Sequence, residues 1–80
     1  MQFSDNLKDW VVEALSTLGG EGTIVEVARE LWLKHEDDFK ASGDHFYTWQ
    51  YEMRWAADRL RKVGKLKLRT VKGRSLWLLP

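Results

Sequence analysis

The stretch RLRKVGKLKLRTVKGR, from Arg59 to Arg74, holds eight basic residues and no acidic one. Ammonium and guanidinium groups at this density suit charge-assisted hydrogen bonds to the oxygens of a polyanion, with release of its counterions. Just upstream, Gln50 and Arg54 stand four residues apart. On a helix they share a face. The guanidinium fork matches guanine O6 and N7, and the carboxamide matches adenine N6 and N7. Arg54 is the stronger candidate for a base contact. Its competing partners within the chain are Glu52, Asp58 at i+4, and the acids of residues 36–47.

Other chemistries find less support. His35-Glu36-Asp37-Asp38 with Asp44-His45 has the residue types of a metal site but no H-E-x-x-H and no EF-hand spacing, so an acidic solvated loop is expected there. Gly19-Gly20-Glu21-Gly22 is not followed by G-K-[ST], and Val71-Lys72-Gly73-Arg74-Ser75 precedes no helix, so neither cradles a phosphate in the P-loop manner. Cysteine is absent and histidine occurs twice. That leaves no thiolate nucleophile and no arguable Ser-His-Asp order. The expectation is a non-enzyme without metal, cofactor or small-molecule substrate.

Eighty residues set one domain, 1–80. A domain this small, without disulfides, depends on packing, and the five tryptophans (10, 32, 49, 55 and 77) supply large apolar area. The net charge of +1 conceals a division. Residues 1–48 carry four Lys/Arg against ten Asp/Glu, whereas residues 49–80 carry nine against two. A polyanion-facing side is implied. The start, MQFSDNLKDW, is not a secretory signal, and no apolar run approaches a membrane span. With the absence of cysteine, this predicts a soluble, cytoplasmic protein without membrane association.

The elements follow from periodicity. Leu7, Trp10, Val11, Ala14, Leu15 and Leu18 recur at helical spacing from about Asp5, with Ser4 as N-cap and Gly19-Gly20 as the stop. Thr23-x-x-Glu26 has the capping-box form and opens a second helix, with Ile24, Val27, Ala28, Leu31 and Trp32 inward, which fades near His35. A very short strand fits near 22–23. Residues 36–47 read as a connection pinned by Phe39, Phe46 and Tyr47. A third helix runs over 49–63 from Thr48 as N-cap, with Trp49, Met53, Ala56, Ala57, Leu60 and Val63 inward and Gly64 ending it. Leu66 and Leu68 then alternate with Lys65, Lys67 and Arg69, a turn follows around Gly73, and Ser75–Leu79 returns. The register has two alternatives. Pairing Thr70 with Ser75 turns Leu66, Leu68, Trp77 and Leu79 inward; a three-residue loop turns Trp77 outward. The first is favoured because it buries the larger side chain.

Helix, short strand, helix, helix and hairpin is the order of a winged helix-turn-helix. The predicted class is therefore α+β, mainly α: three helices followed by a two-stranded antiparallel wing. Trp49, Met53-Arg54-Trp55-Ala56, Leu60-Arg61-Lys62-Val63-Gly64 and Gly73-Arg74-Ser75-Leu76-Trp77-Leu78 resemble the N-terminal winged-helix domain of Mrr-type restriction endonucleases and similar stand-alone domains. In that family the corresponding patterns are W-x-x-x-V-R-W-A-L, K-x-x-G and G-x-x-W-x-L; Met53 and Ala57 stand here for the usual Val and Leu. The resemblance spans about Leu7 to Leu79. It implies a DNA-recognition module. The nuclease domain of those enzymes is not in this chain, so no cleavage activity carries over.

The expected partner is double-stranded DNA, with helix 49–63 in the major groove through Gln50 and Arg54, and wing 65–79 on phosphates or the minor groove through Lys65, Lys67, Arg69, Lys72 and Arg74. Arg61, near the helix end, serves partly to complement the dipole. Tyr51 and Trp55, at i and i+4, mark an interface: a homodimer contact, a base-stacking platform, or packing against the wing or the 36–47 connection, the last being favoured. The alternative function is a protein-interaction or dimerisation winged helix without direct DNA contact.

Overall fold

The computed structural model describes residues 3–80, with side chains from Asp5 onward. The element order is α1 (Phe3–Thr17), β1 (Glu21–Thr23), α2 (Ile24–Lys40), α3 (His45–Lys62), β2 (Lys67–Val71) and β3 (Arg74–Leu78). The architecture is α+β, mainly helical, in the layout of a winged helix. None of the described helices is long and apolar enough to cross a membrane.

Helix α1 buries Leu7, Val11, Ala14 and Leu15, the stripe read from its period. It begins ahead of Asp5, so Ser4 lies within the helix rather than capping it. At its end the Gly20 N–H donates to the Leu15 carbonyl at 2.7 Å, and the Gly20 carbonyl accepts from Leu79 N–H at 2.8 Å. The turn after α1 is thereby tied to the last strand.

The capping box at the start of α2 is complete. Thr23 Oγ1 accepts from the Glu26 N–H at 3.2 Å, and Glu26 Oε1 accepts from the Thr23 N–H at 2.8 Å. The hydrogen bond from the Thr23 backbone, then that involving its hydroxyl, holds the Glu26 carboxyl below its ordinary value.

Helix α2 departs from expectation at His35. It kinks there (φ −126°, ψ 22°) and continues to Lys40. Phe39 is the cause. It is fully buried, stacked on Trp49 at 4.3 Å between ring centroids and edge-on to Trp10 at 5.7 Å. Burying one such ring outweighs the preference of Asp37 and Asp38 for a loop, because both acids keep their solvent exposure. At the kink, the His35 ring stacks on Trp10 at 3.9 Å, with Nδ1 3.1 Å from Asp38 and Nε2 3.3 Å from Glu13.

The connection shortens accordingly. Helix α3 starts at His45, so Thr48 lies within it and donates to Glu52 at 2.8 Å instead of capping. Phe46 packs against the core, but Tyr47 is 83% exposed and pins nothing. The inward face of α3 is Trp49, Met53, Ala56, Ala57 and Leu60. Val63 is exposed instead of inward, since the helix has ended and the chain turns away at Gly64.

The sheet is three-stranded and antiparallel in the order β1-β3-β2. Thr70 pairs with Ser75 and Leu68 with Trp77, the two-residue-loop register. Lys72 and Gly73 form that loop with φ of 51° and 79°, the twist a type I′ turn needs. Leu66 and Trp77 are buried and Leu79 packs against the core. Leu68 is 47% exposed, because it lies on an edge strand, nearer the tip than Leu66. The short strand near 22–23 is β1, which pairs with β3 and makes that strand central.

Candidate nucleic-acid interface

Helix α3 carries Arg54 to the meeting point of two grooves. One, of about 640 Å³, runs between α2 and α3 and is lined by Val25, Arg29, Trp32, Phe46, Gln50 and Arg54 among others. The other, of about 200 Å³, lies between α3 and the wing, with Arg54, Asp58 and Arg61 facing Leu68, Ser75 and Trp77. Both Gln50 and Arg54 are exposed, as their helical spacing predicts. Beyond the N-terminus of α2 a third depression, of about 650 Å³, is bordered by Thr23, Val25, Glu26 and Arg74.

The charge pattern is selective. Asp58 accepts from Arg61 at 2.7 Å and pairs with Lys62 at 3.2 Å. Hydrogen bonds from Arg61 and then Lys62 hold its carboxyl below the ordinary value. Glu52 is engaged by Thr48 and by His45 Nδ1, each at 2.8 Å. Glu52 and Asp58, the expected competitors for Arg54 on its own helix, are thus engaged elsewhere, and among the described residues no carboxylate, those of 36–47 included, lies within 4.0 Å of it. The same holds for Arg59, Lys65, Lys67, Lys72 and Arg74, whereas Arg69 meets Glu21 at 3.6 Å across the sheet. That pair is exposed on both sides and weakly held. Arg61 is the predicted contact whose charge is compensated at closest range.

The predicted residues do not all converge. Strand alternation puts Lys67 and Arg69 on the face of the sheet shared with Leu76 and Leu78, opposite the face of Leu68 and Trp77 that meets α3. Lys72 occupies the tip. Lys65 precedes β2, in the turn after α3. Arg54 and Arg61 therefore share the inner rim of the wing, and Gln50 joins Arg54 only in the α2–α3 groove. Lys67 and Arg69 form a second group, on the outer face of the wing, and Arg74 joins the N-terminus of α2.

Arg29 was not singled out from the sequence. The period of α2 places Val25 and Arg29 one turn apart, off the buried face, but only the packing of α2 on α3 shows that they border Gln50 and Arg54. Tyr51 and Trp55 correct an expectation. Packing on the wing or on the segment 36–47 would bury them, and neither is buried. They are 64% and 49% exposed, and their rings meet each other edge to face at 6.1 Å.

The two histidines that flank the acidic segment have separate partners: His35 lies against Glu13 and Asp38, and His45 against Glu52. Among the described residues no three His, Asp or Glu side chains gather in a group able to hold a metal ion. No family model, no curated protein and no solved structure matches the chain.

Proposed function

We propose that this protein is a DNA-binding winged-helix module that binds rather than cleaves. Helix α3 approaches the major groove with Gln50 and Arg54. Lys65, Lys67, Arg69, Lys72 and Arg74 meet phosphates or the minor groove, Lys67 and Arg69 from the outer face of the wing. The carrying observation is the state of Arg54. It is exposed and, among the described residues, without a carboxylate partner, where the α2–α3 groove meets the wing, although Asp58 lies one turn away on the same helix. Support also comes from the resemblance of Trp49, Arg54-Trp55-Ala56 and Arg74–Leu78 to the Mrr-type N-terminal domain. The same proposal includes action in the cytoplasm and no requirement for a cofactor.

About four phosphate contacts give a slope near −4 in log affinity against log salt. A single module of this size has affinity near the micromolar range at physiological salt. The test is titration of a labelled duplex at two salt concentrations with R54A and with the charge reversals K67E and R74E. R54A is expected to cost roughly 1–3 kcal/mol and to relax sequence preference, and the reversals to weaken all duplexes alike and flatten the slope. Absence of binding at low salt, or indifference to the reversals, sinks the proposal.

One observation favours a second function, a protein-interaction or dimerisation domain. The exposed side of α3 from its first turn to Trp55 is aromatic, with Tyr47, Tyr51 and Trp55 at successive turns. Light scattering of the wild type beside W55A separates the two: a dimer that dissociates on substitution supports the protein contact.

A further inference from the structure

Tyr47, Tyr51 and Trp55 recur every four residues along α3 and form one stripe on its solvent side, 83%, 64% and 49% exposed. Trp55 stands between two depressions. One, of about 440 Å³, is lined by Tyr51, Arg54, Trp55 and Asp58; the other, of about 310 Å³, by Glu52, Trp55, Ala56 and Arg59. Arg54 and Arg59 therefore flank the ring on opposite sides, neither with a carboxylate within 4.0 Å among the described residues. The stripe pairs flat apolar faces with uncompensated cations.

A closed duplex does not match that combination. Its major groove presents base edges and thymine methyl groups, while the ring faces of its bases are stacked on one another. Bases that have left the stack offer faces, and their backbone offers the anions. The Tyr51 and Trp55 rings stand at 75° to each other with centroids 6.1 Å apart, so each offers its outward face to a separate unstacked base.

We infer that α3 takes unpaired bases of a DNA strand, with Tyr51 and Trp55 as the stacking platform, Arg59 on the flanking phosphate and Arg54 keeping its base contact. The inference rests on the DNA-binding function proposed above and narrows its ligand to DNA with an opened or single-stranded segment. The cations on the wing, Lys67, Lys72 and Arg74, remain available to adjoining duplex phosphates.

The experiment compares three labelled probes by fluorescence anisotropy: a blunt duplex, the same duplex with a central run of mismatched bases, and one strand alone. The bubble is expected to bind between about fivefold and a hundredfold more tightly than the blunt duplex, with the single strand also preferred. W55A is expected to abolish that preference, and W55F to restore part of it. Circular dichroism of both variants verifies the fold. Equal affinity for bubble and blunt duplex, or a preference that survives W55A, overturns the inference. If K67E and R74E weaken every probe while W55A changes none, the stacking platform falls and DNA binding stands. If no probe binds and W55A lowers the mass measured by light scattering, the stripe is a contact between copies of the chain, and both are overturned.

Discussion

Asp58 accepts a hydrogen bond from Arg61 at 2.7 Å, one turn further along α3. It also meets Lys62 at 3.2 Å, and its third basic neighbour on the helix, Arg54, is left without it. One carboxylate thus divides the basic residues of α3 into a compensated pair at the C-terminal end and an uncompensated guanidinium beside the grooves.

Replacing Asp58 by Asn removes the charge that competes with phosphate for Arg61 and Lys62. DNA affinity at low salt is expected to rise, and the magnitude of the salt slope to grow by about 1–2 as these cations become available. Anisotropy titrations at two salt concentrations measure both quantities. An unchanged slope would show that Arg61 and Lys62 do not reach the phosphates.

The capping box makes a prediction about stability and pH. Thr23→Ala is expected to cost about 1 kcal/mol, a fall in Tm of roughly 4–8 °C for a domain of this size. Glu26 ionises below its ordinary value in the folded state, so its contribution is present above the carboxylate range and fades as pH falls through the folded pKa. The stability gap between wild type and E26Q should therefore hold near neutral pH and close in acid, as read by urea unfolding across pH. A gap that widened in acid would contradict the sign of this linkage.

Phe39 separates a helix from a loop at residues 36–40. Were that segment a solvated connection, Phe39→Ala would cost little. With the ring fully buried against Trp49, the expected loss is about 3–5 kcal/mol, enough to unfold a marginal domain. Phe39→Leu should be milder and measurable by urea unfolding.

Lys72 has a positive φ of 51° at the tip of the wing, a conformation that asparagine adopts more readily than lysine. Lys72→Asn gives the Asn-Gly sequence preferred in a type I′ turn. Stability is expected to rise by a few tenths up to about 1 kcal/mol. DNA affinity should fall, with the salt slope smaller by about 0.9. Opposite movements of Tm and affinity would identify Lys72 as a ligand contact held at a conformational cost.

Much of the fold was legible in local pattern. Leu7, Val11, Ala14 and Leu15 announced α1, Thr23-x-x-Glu26 announced α2, and the alternation around Leu66 and Leu68 announced the hairpin with Trp77 inward. Each signal depends on interactions within a few residues, where periodicity and capping chemistry act. The basic character of α3 and the wing, and the helical face shared by Gln50 and Arg54, belong to the same class.

Tertiary packing decided the remainder. Helical period states which residues share a face but not which face another element covers. Phe39 kept residues 36–40 helical because Trp49 and Trp10, distant in sequence, surround it. Trp55 and Tyr47 stayed in solvent because none of the described elements covers their side of α3, and Val63 because the helix ends before it. Arg29 reached the neighbourhood of Arg54 through the crossing of α2 on α3. The sequence determined which side chains carry charge and aromatic area; contacts between distant segments decided which of them face solvent and which carboxylate each cation meets.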